Sequence, residues 1–223
     1  MHIEPGVVDG AKIMLSYATG AAAGGYALKL ALDTMRERGL VSLVGRSALA
    51  TGAVFSFFEI LPHFPVGVSE VHFILGSTLF LILGAAPAAI GLALGLLIQG
   101  LLFAPLDLPQ YAMNVTTLLV PLFALQTLAR RIIAPATPYV ELKYRQALAL
   151  SVAFQGGVVA WVGFWAFYGQ GLSAWEGVAS FAGAYMLVIL IEPLADLAVL
   201  AGAKTIRGMA GSGLVTRRLF GAA

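Results

Sequence analysis

The stretch Pro87-Ala-Ala-Ile-Gly-Leu-Ala-Leu-Gly-Leu-Leu-Ile-Gln-Gly-Leu-Leu-Phe-Ala104 holds no charged side chain and only one polar one, Gln99. A helix built from it is apolar all round, and such a helix belongs in lipid or in a protein core, not against water. About 20 such residues cross the hydrocarbon of a bilayer. Six comparable runs surround it, at roughly 10–30, 40–61, 69–84, 112–129, 146–168 and 178–201. The run 69–84 is set off from the next only by Ala85-Ala86-Pro87, and the two also read as one long bent helix plus a re-entrant piece. Of the 223 residues, 60% are hydrophobic and 11% charged. A soluble domain averages about 25% charged residues, so this chain has too little polar surface to cover a globule in water. The expected fold is all-α: a polytopic transmembrane helix bundle of about seven spans, forming one transmembrane domain over 1–223.

The charges predict an orientation. Lys29, Arg36, Arg38 and Arg46 flank the first connection, Arg130, Arg131, Lys143 and Arg145 the fifth, and Lys204, Arg207, Arg217 and Arg218 follow the seventh run. The connections at 59–71, 105–111 and 169–177 carry no Lys or Arg. Cytoplasmic loops collect basic residues, so the N-terminus is expected outside and the C-terminus inside, with only Lys12 on the outer side. The start Met1-His2-Ile3-Glu4 has no basic region of the kind that opens a cleaved signal peptide. Small residues such as Gly20 with Gly24, and Gly84 with Ala88, read as places where helices pack closely. The longest polar connection, 132–144, contains Pro135 and Pro138 and reads as an irregular cytoplasmic loop able to dock a partner.

There are no cysteines, so disulfides and thiolate metal sites are excluded. No Gly-x-x-x-x-Gly-Lys-[Ser/Thr] phosphate loop, no Ser/His/Asp arrangement and no basic-aromatic strip for nucleic acid occurs. The three histidines, His2, His63 and His72, all fall on the predicted outer side, together with Glu4, Asp9, Glu59, Glu70 and Asp107. Such a surface attracts cations. A lone histidine is more often a packing residue than a ligand, but position 2 has its own chemistry. A free Met1 amine, the deprotonated His2 amide and the His2 imidazole chelate one ion through fused small rings, with three nitrogens in a plane. One further imidazole, from His72 or His63, completes a tetragonal nitrogen set, which suits Ni(II) and Cu(II).

Met1-His2-Ile3-x-x-Gly6 resembles the start of the cobalt/nickel substrate-capture membrane components of energy-coupling-factor (ECF) ABC transporters. Gln99-Gly-Leu-Leu-Phe-Ala104, followed by Asn114 and Thr117, is similar to that family's Gln-x-Leu-Leu-Phe-Ala … Asn-x-x-Ser segment. The run from His72 through Gly76 to Gly84 resembles its His-x-x-Gly … Gly-Pro stretch, and Glu192-Pro-Leu-Ala its Glu-Ala-Leu-Ile element. Pro105 and Tyr185 stand where the family often has histidine. The resemblance implies an N-terminal segment, 1–9, folded back into the bundle. It implies Met1, His2 and His72 as metal ligands, with His63 a rival for the fourth position, and Asn114 and Thr117 as outer partners holding that segment. It implies Co(II) or Ni(II) as transported substrate and no enzyme activity. It further implies a transmembrane coupling (T) subunit and cytoplasmic ATPase subunits as partners in a bacterial or archaeal cytoplasmic membrane.

Glu192 and Asp196 lie four apart on one face of the seventh run. A carboxylate at the centre of a spanning helix costs about 2.5–3.5 kcal/mol on insertion scales, so the pair is expected to face the bundle or a partner. Glu192 reads either as a relay or partner contact, or as half of a neutralised pair. Asp196 reads as a residue near the inner end reaching Lys204 or water. Two other functions fit the same architecture: uptake of a small organic substrate such as a vitamin, or a membrane-embedded metal-dependent hydrolase or sensor using His63, His72 and Glu70.

Overall fold

The computed structural model describes residues 3–208. Over these the chain forms seven α-helices and one small hairpin. A short 3₁₀ turn leads into α1 (Met14–Arg38), and Gly39 separates α1 from α2 (Leu40–Glu59). The hairpin β1 (Phe64–Val66) and β2 (Ser69–Val71) follows, then α3 (Gly76–Leu83) and α4 (Ala85–Leu102). A 3₁₀ turn over Pro105–Gln110 leads into α5 (Tyr111–Ile132). Last come α6 (Tyr144–Gln170) and α7 (Trp175–Gly208). By length and composition, four stretches are able to cross a membrane: Leu40–Glu59, Ala85–Leu102, Pro105–Ile132 and Tyr144–Arg207. The last of these contains both α6 and α7. At 25 residues α1 is long enough, but Lys29, Asp33, Arg36, Glu37 and Arg38 crowd its final third.

The expected third span does not form as one helix. Residues 69–71 are strand and α3 has only eight residues. At about 1.5 Å per residue that is near 12 Å, well short of a hydrocarbon core of about 30 Å. The first half of the run pairs instead with Phe64–Val66, in register Phe64 with Val71 and Val66 with Ser69. The two-residue turn Gly67-Val68 starts with Gly67 at φ +62, the positive angle that a hairpin turn of this length asks of its first residue. Non-helical backbone at membrane depth is tolerated only when it is enclosed by protein. α3 meets that condition, since α2, α4, α5, α6 and α7 all contact it. Its first residue, Gly76, lies so close to Phe154 of α6 that a Cβ there would overlap the ring.

The bundle is polar inside and apolar outside on its last helix. Tyr185, Val188, Glu192 and Asp196 are buried on one face of α7, while Leu190 and Leu194 are 62% and 64% exposed on the other. An outward aliphatic face is what a lipid solvent permits. α2 and α4 form the most extensive helix pair. Their closeness comes from glycine: a Cβ at Gly91 would collide with Ala50, and one at Gly95 would sit 2.6 Å from Val54 Cγ1. Of the small pair expected to pack on α1, Gly20 does approach Ala112 of α5, with 3.1 Å left for a Cβ, whereas Gly24 faces open space. Gly84 is not a packing residue in the same sense: its φ of +95 makes the break between α3 and α4.

Overpacking a close contact costs about 1–3 kcal/mol. Gly95→Leu and Gly91→Leu are expected to lower the thermal midpoint of the detergent-solubilised protein, and Gly24→Leu to leave it unchanged. Equal midpoints for all three would refute the glycine-mediated α2–α4 contact.

Candidate metal-capture site

The segment ahead of α1 lies against the bundle. Ile3 is 1% exposed, and Val7 and Val8 are buried with it. Ile3 forms an antiparallel bridge with Ser69, and its N–H donates to Asn114 Oδ1 of α5 at 2.8 Å. Glu4 N–H donates to the Val68 carbonyl at 3.1 Å. The segment therefore joins the edge of β2 through a single isolated bridge. Farther along, the Val7 carbonyl lies directly over Gly169 of α6, where a Cβ would overlap it. The Lys12 ammonium donates to the Gly169 carbonyl at 2.6 Å. These contacts satisfy backbone groups that would otherwise be stranded beneath the segment.

His72 follows directly on β2 and is fully buried. Its Nε2 lies 2.8 Å from Glu70 Oε2. The edge of its ring meets Phe58 at 5.1 Å, and the His63 ring stacks on it at 5.0 Å with planes 13° apart. Glu70, Glu4 and Asp107 lie close enough for their charges to interact. Burial raises the Glu4 carboxyl above its ordinary pKa, and the charges of Glu70 and Asp107 push it further up. The mouth is thus a zone of crowded negative charge, which draws cations toward it.

Below His72, α7 takes over the exposed backbone. Glu192 accepts hydrogen bonds from Ile74 N–H at 2.9 Å and Leu75 N–H at 2.7 Å. Gln155 of α6 donates its amide to the same carboxylate, and the Tyr185 hydroxyl donates to Gln155 Oε1 at 2.7 Å. One turn on, Asp196 accepts from the Ser77 hydroxyl at 2.6 Å and from the Thr78 hydroxyl. Toward the loop, burial raises the Tyr139 phenol above its ordinary pKa; the Asp196 charge adds to this and a hydrogen bond with Thr78 opposes it.

Several expected residues thus converge and others do not. Met1 and His2 lie outside the described residues. His63 and His72 come together, and Asn114 holds the N-terminal segment at Ile3. Thr117 is buried, and its hydroxyl bonds the Met113 carbonyl of its own helix at 3.0 Å. Asp196 does not reach Lys204, whose ammonium donates to the Val140 carbonyl at 2.9 Å and lies over the Tyr144 ring. Among the described residues, no group of three or more His, Asp or Glu side chains forms a metal cluster. Sequence reading missed Gln155, Tyr185, Ser77 and Thr78 as partners of the α7 carboxylates. The available signal was Gln155 itself, an isolated amide in an apolar run.

Removing the Asn114 side chain strands a buried N–H, which costs about 1–3 kcal/mol. In Asn114→Ala the amides of Ile3, Glu4 and Val7 are expected to exchange about 5- to 150-fold faster with deuterium, since exchange protection reads local opening energy. Exchange at the parent rate would show that Asn114 does not secure the segment.

Two solved structures share the fold. One is titled a truncated transition metal transporter, 19% identical, covering 90% of this chain and 97% of its own, with a TM-score of 0.66. The other is titled a transition metal transporter, 18% identical, covering 99% of this chain and 100% of its own, with a TM-score of 0.65. No curated protein sequence matches. Residues 2–209 match the family described as cobalt uptake substrate-specific transmembrane region. The chain therefore belongs to this CbiM family and is a membrane component of metal uptake.

Proposed function

We propose that the chain is the substrate-binding membrane subunit of an ECF-type ABC transporter that imports Co(II) or Ni(II) across a bacterial or archaeal cytoplasmic membrane. One observation carries this reading most directly: the segment ahead of the first helix is bound into the bundle, with Ile3 on Asn114 and opposite Ser69. Ile3 is covalently next to His2, and consecutive residues lie about 3.8 Å apart. The same hairpin that receives Ile3 carries His72 just beyond its second strand.

In a chain that starts at an unblocked Met1, the ligands are the Met1 amine, the amide and imidazole nitrogens of His2, and His72. With His72 Nε2–H donating to Glu70, the lone pair lies on Nδ1, which is the ligating atom. A carboxylate on the non-ligating nitrogen is the usual partner of a metal-bound imidazole and raises its basicity. His63 stacks on the ring rather than completing the set. The N-terminus is outside, where the acids gather, and the basic connections and C-terminus are inside. The chain has no ATPase motif and is not an enzyme. A coupling subunit and cytoplasmic ATPases drive release inward, docking at the small-residue faces and at the 132–144 connection.

Isothermal titration of the purified chain tests this. Losing an outer partner of a ligand typically costs 10- to 100-fold in affinity, so His72→Ala, and a variant with one residue inserted after Met1, should each weaken Ni(II) and Co(II) binding by more than about 100-fold. His63→Ala should bind within a few-fold of the parent. If the insertion and His72→Ala both match the parent, the site is elsewhere.

The ligands must shed protons to bind, so affinity should fall as pH falls and binding should release protons. Titration in buffers of different ionisation enthalpy counts them. A pH-independent affinity with no proton release would rule out the deprotonated amide.

A further inference from the structure

The four residues 72–75 must carry the chain from strand to helix inside the bundle. They do so without a local cap. Leu75, at the N-cap of α3, has φ +50 and makes no side-chain cap. A left-handed conformation is unusual for a branched, non-glycine residue and persists when its surroundings over-determine it. The surroundings here are one carboxylate: both Ile74 N–H and Leu75 N–H end on Glu192. Helix starts are ordinarily capped by a Ser, Thr, Asp or Asn at the N-cap itself. This one is capped from α7, 117 and 118 residues away in sequence.

The carboxylate is itself oriented. Gln155 donates to Glu192, and Tyr185 donates to Gln155 at 2.7 Å. Tyr185, Gln155, Ile74 and Glu192 are all fully buried. Asp196 repeats the arrangement one turn on, through the hydroxyls of Ser77 and Thr78. The backbone that begins α3 is thereby bound along one face of α7, and His72 lies only two residues before the first bond.

We infer that Glu192, oriented by Gln155 and Tyr185, is the positioning residue for His72 and makes the geometry of the capture site depend on α7. Glu192 does not touch the metal. It fixes the main chain from which the ligand projects, as Glu70 fixes the ring. The inference rests on His72 being a ligand, as proposed above.

The test compares the full-length parent with Glu192→Gln, Tyr185→Phe and Leu122→Ala, following Ni(II) affinity by titration and the visible d–d band of the Ni(II) complex. Leu122 is buried on α5, offers the tie no hydrogen bond, and controls for lost core packing. Glu192→Gln keeps the size of the side chain but leaves one acceptor for two N–H groups. It should weaken Ni(II) binding about 10- to 100-fold, the range for groups that orient a ligand, and shift the band. Tyr185→Phe should do the same to a smaller degree, and it decides the matter if Glu192→Gln fails to fold. Leu122→Ala should lower the melting temperature while keeping the parent affinity and spectrum. If the parent binds and both tie variants bind with its affinity and band, Glu192 only stabilises the fold and the inference is overturned. A parent that binds no Ni(II) overturns the metal reading itself, and this inference with it.

Discussion

Two consecutive amides, Ile74 and Leu75, share the Glu192 carboxylate, and the hairpin end of the molecule is arranged around that fact. In an apolar slab the backbone has no water to turn to, so any departure from helix must be answered by protein. A short helix beginning in mid-bundle exposes N–H groups with no carbonyl behind them. Glu192 answers them from α7, and Asp196 takes the hydroxyls of Ser77 and Thr78 in the first turn. In exchange, two carboxylates that are costly to bury acquire donors on every side: two amides, a glutamine and two hydroxyls. Each half resolves the other's desolvation. The hairpin, His72 and the strand-like N-terminal segment all depend on α3 starting where it does.

The N-terminal segment is added by different means. Its contacts are those of an edge strand, closing the hairpin through Ser69 and Val68, with Asn114 supplying the acceptor that a further strand would have provided. Gly169 permits the close passage of the Val7 carbonyl. The result is an irregular polar layer above an apolar bundle, and that layer gathers Glu4, Glu70, Asp107, His63 and His72. An open strand edge in this position would be a liability; here the segment covers it.

Much of this was readable from residue order, and the limits have physical causes. All six other apolar runs became helices, because an apolar run of that length has few alternatives; four end within about three residues of expectation, while α1 continues to Arg38 and α7 to Gly208. The run 69–84 failed because hydropathy averages over a segment, whereas its fold is decided by a turn at Gly67 and by a carboxylate in a distant helix. The four-residue spacing of Glu192 and Asp196 showed that they share a face, but spacing along one helix says nothing about what stands opposite. Asn114 was legible through a motif. Thr117, in the same motif, bonds its own backbone one turn back, as a hydroxyl in a helix can.

The docking of the first residues also bears on how the molecule is made. Ile3 is held by a residue 111 positions later, and Lys12 by one 157 positions later. The hairpin that receives Ile3 is in turn fixed through a helix start secured 118 residues downstream. Synthesis runs from the N-terminus at some 5–20 residues per second, so Ile3 and Lys12 are made many seconds before the residues that hold them. Until α7 is in place, the helix start that fixes the hairpin under Ile3 lacks its acceptor. The contacts that seat this segment are among those the chain is slowest to complete.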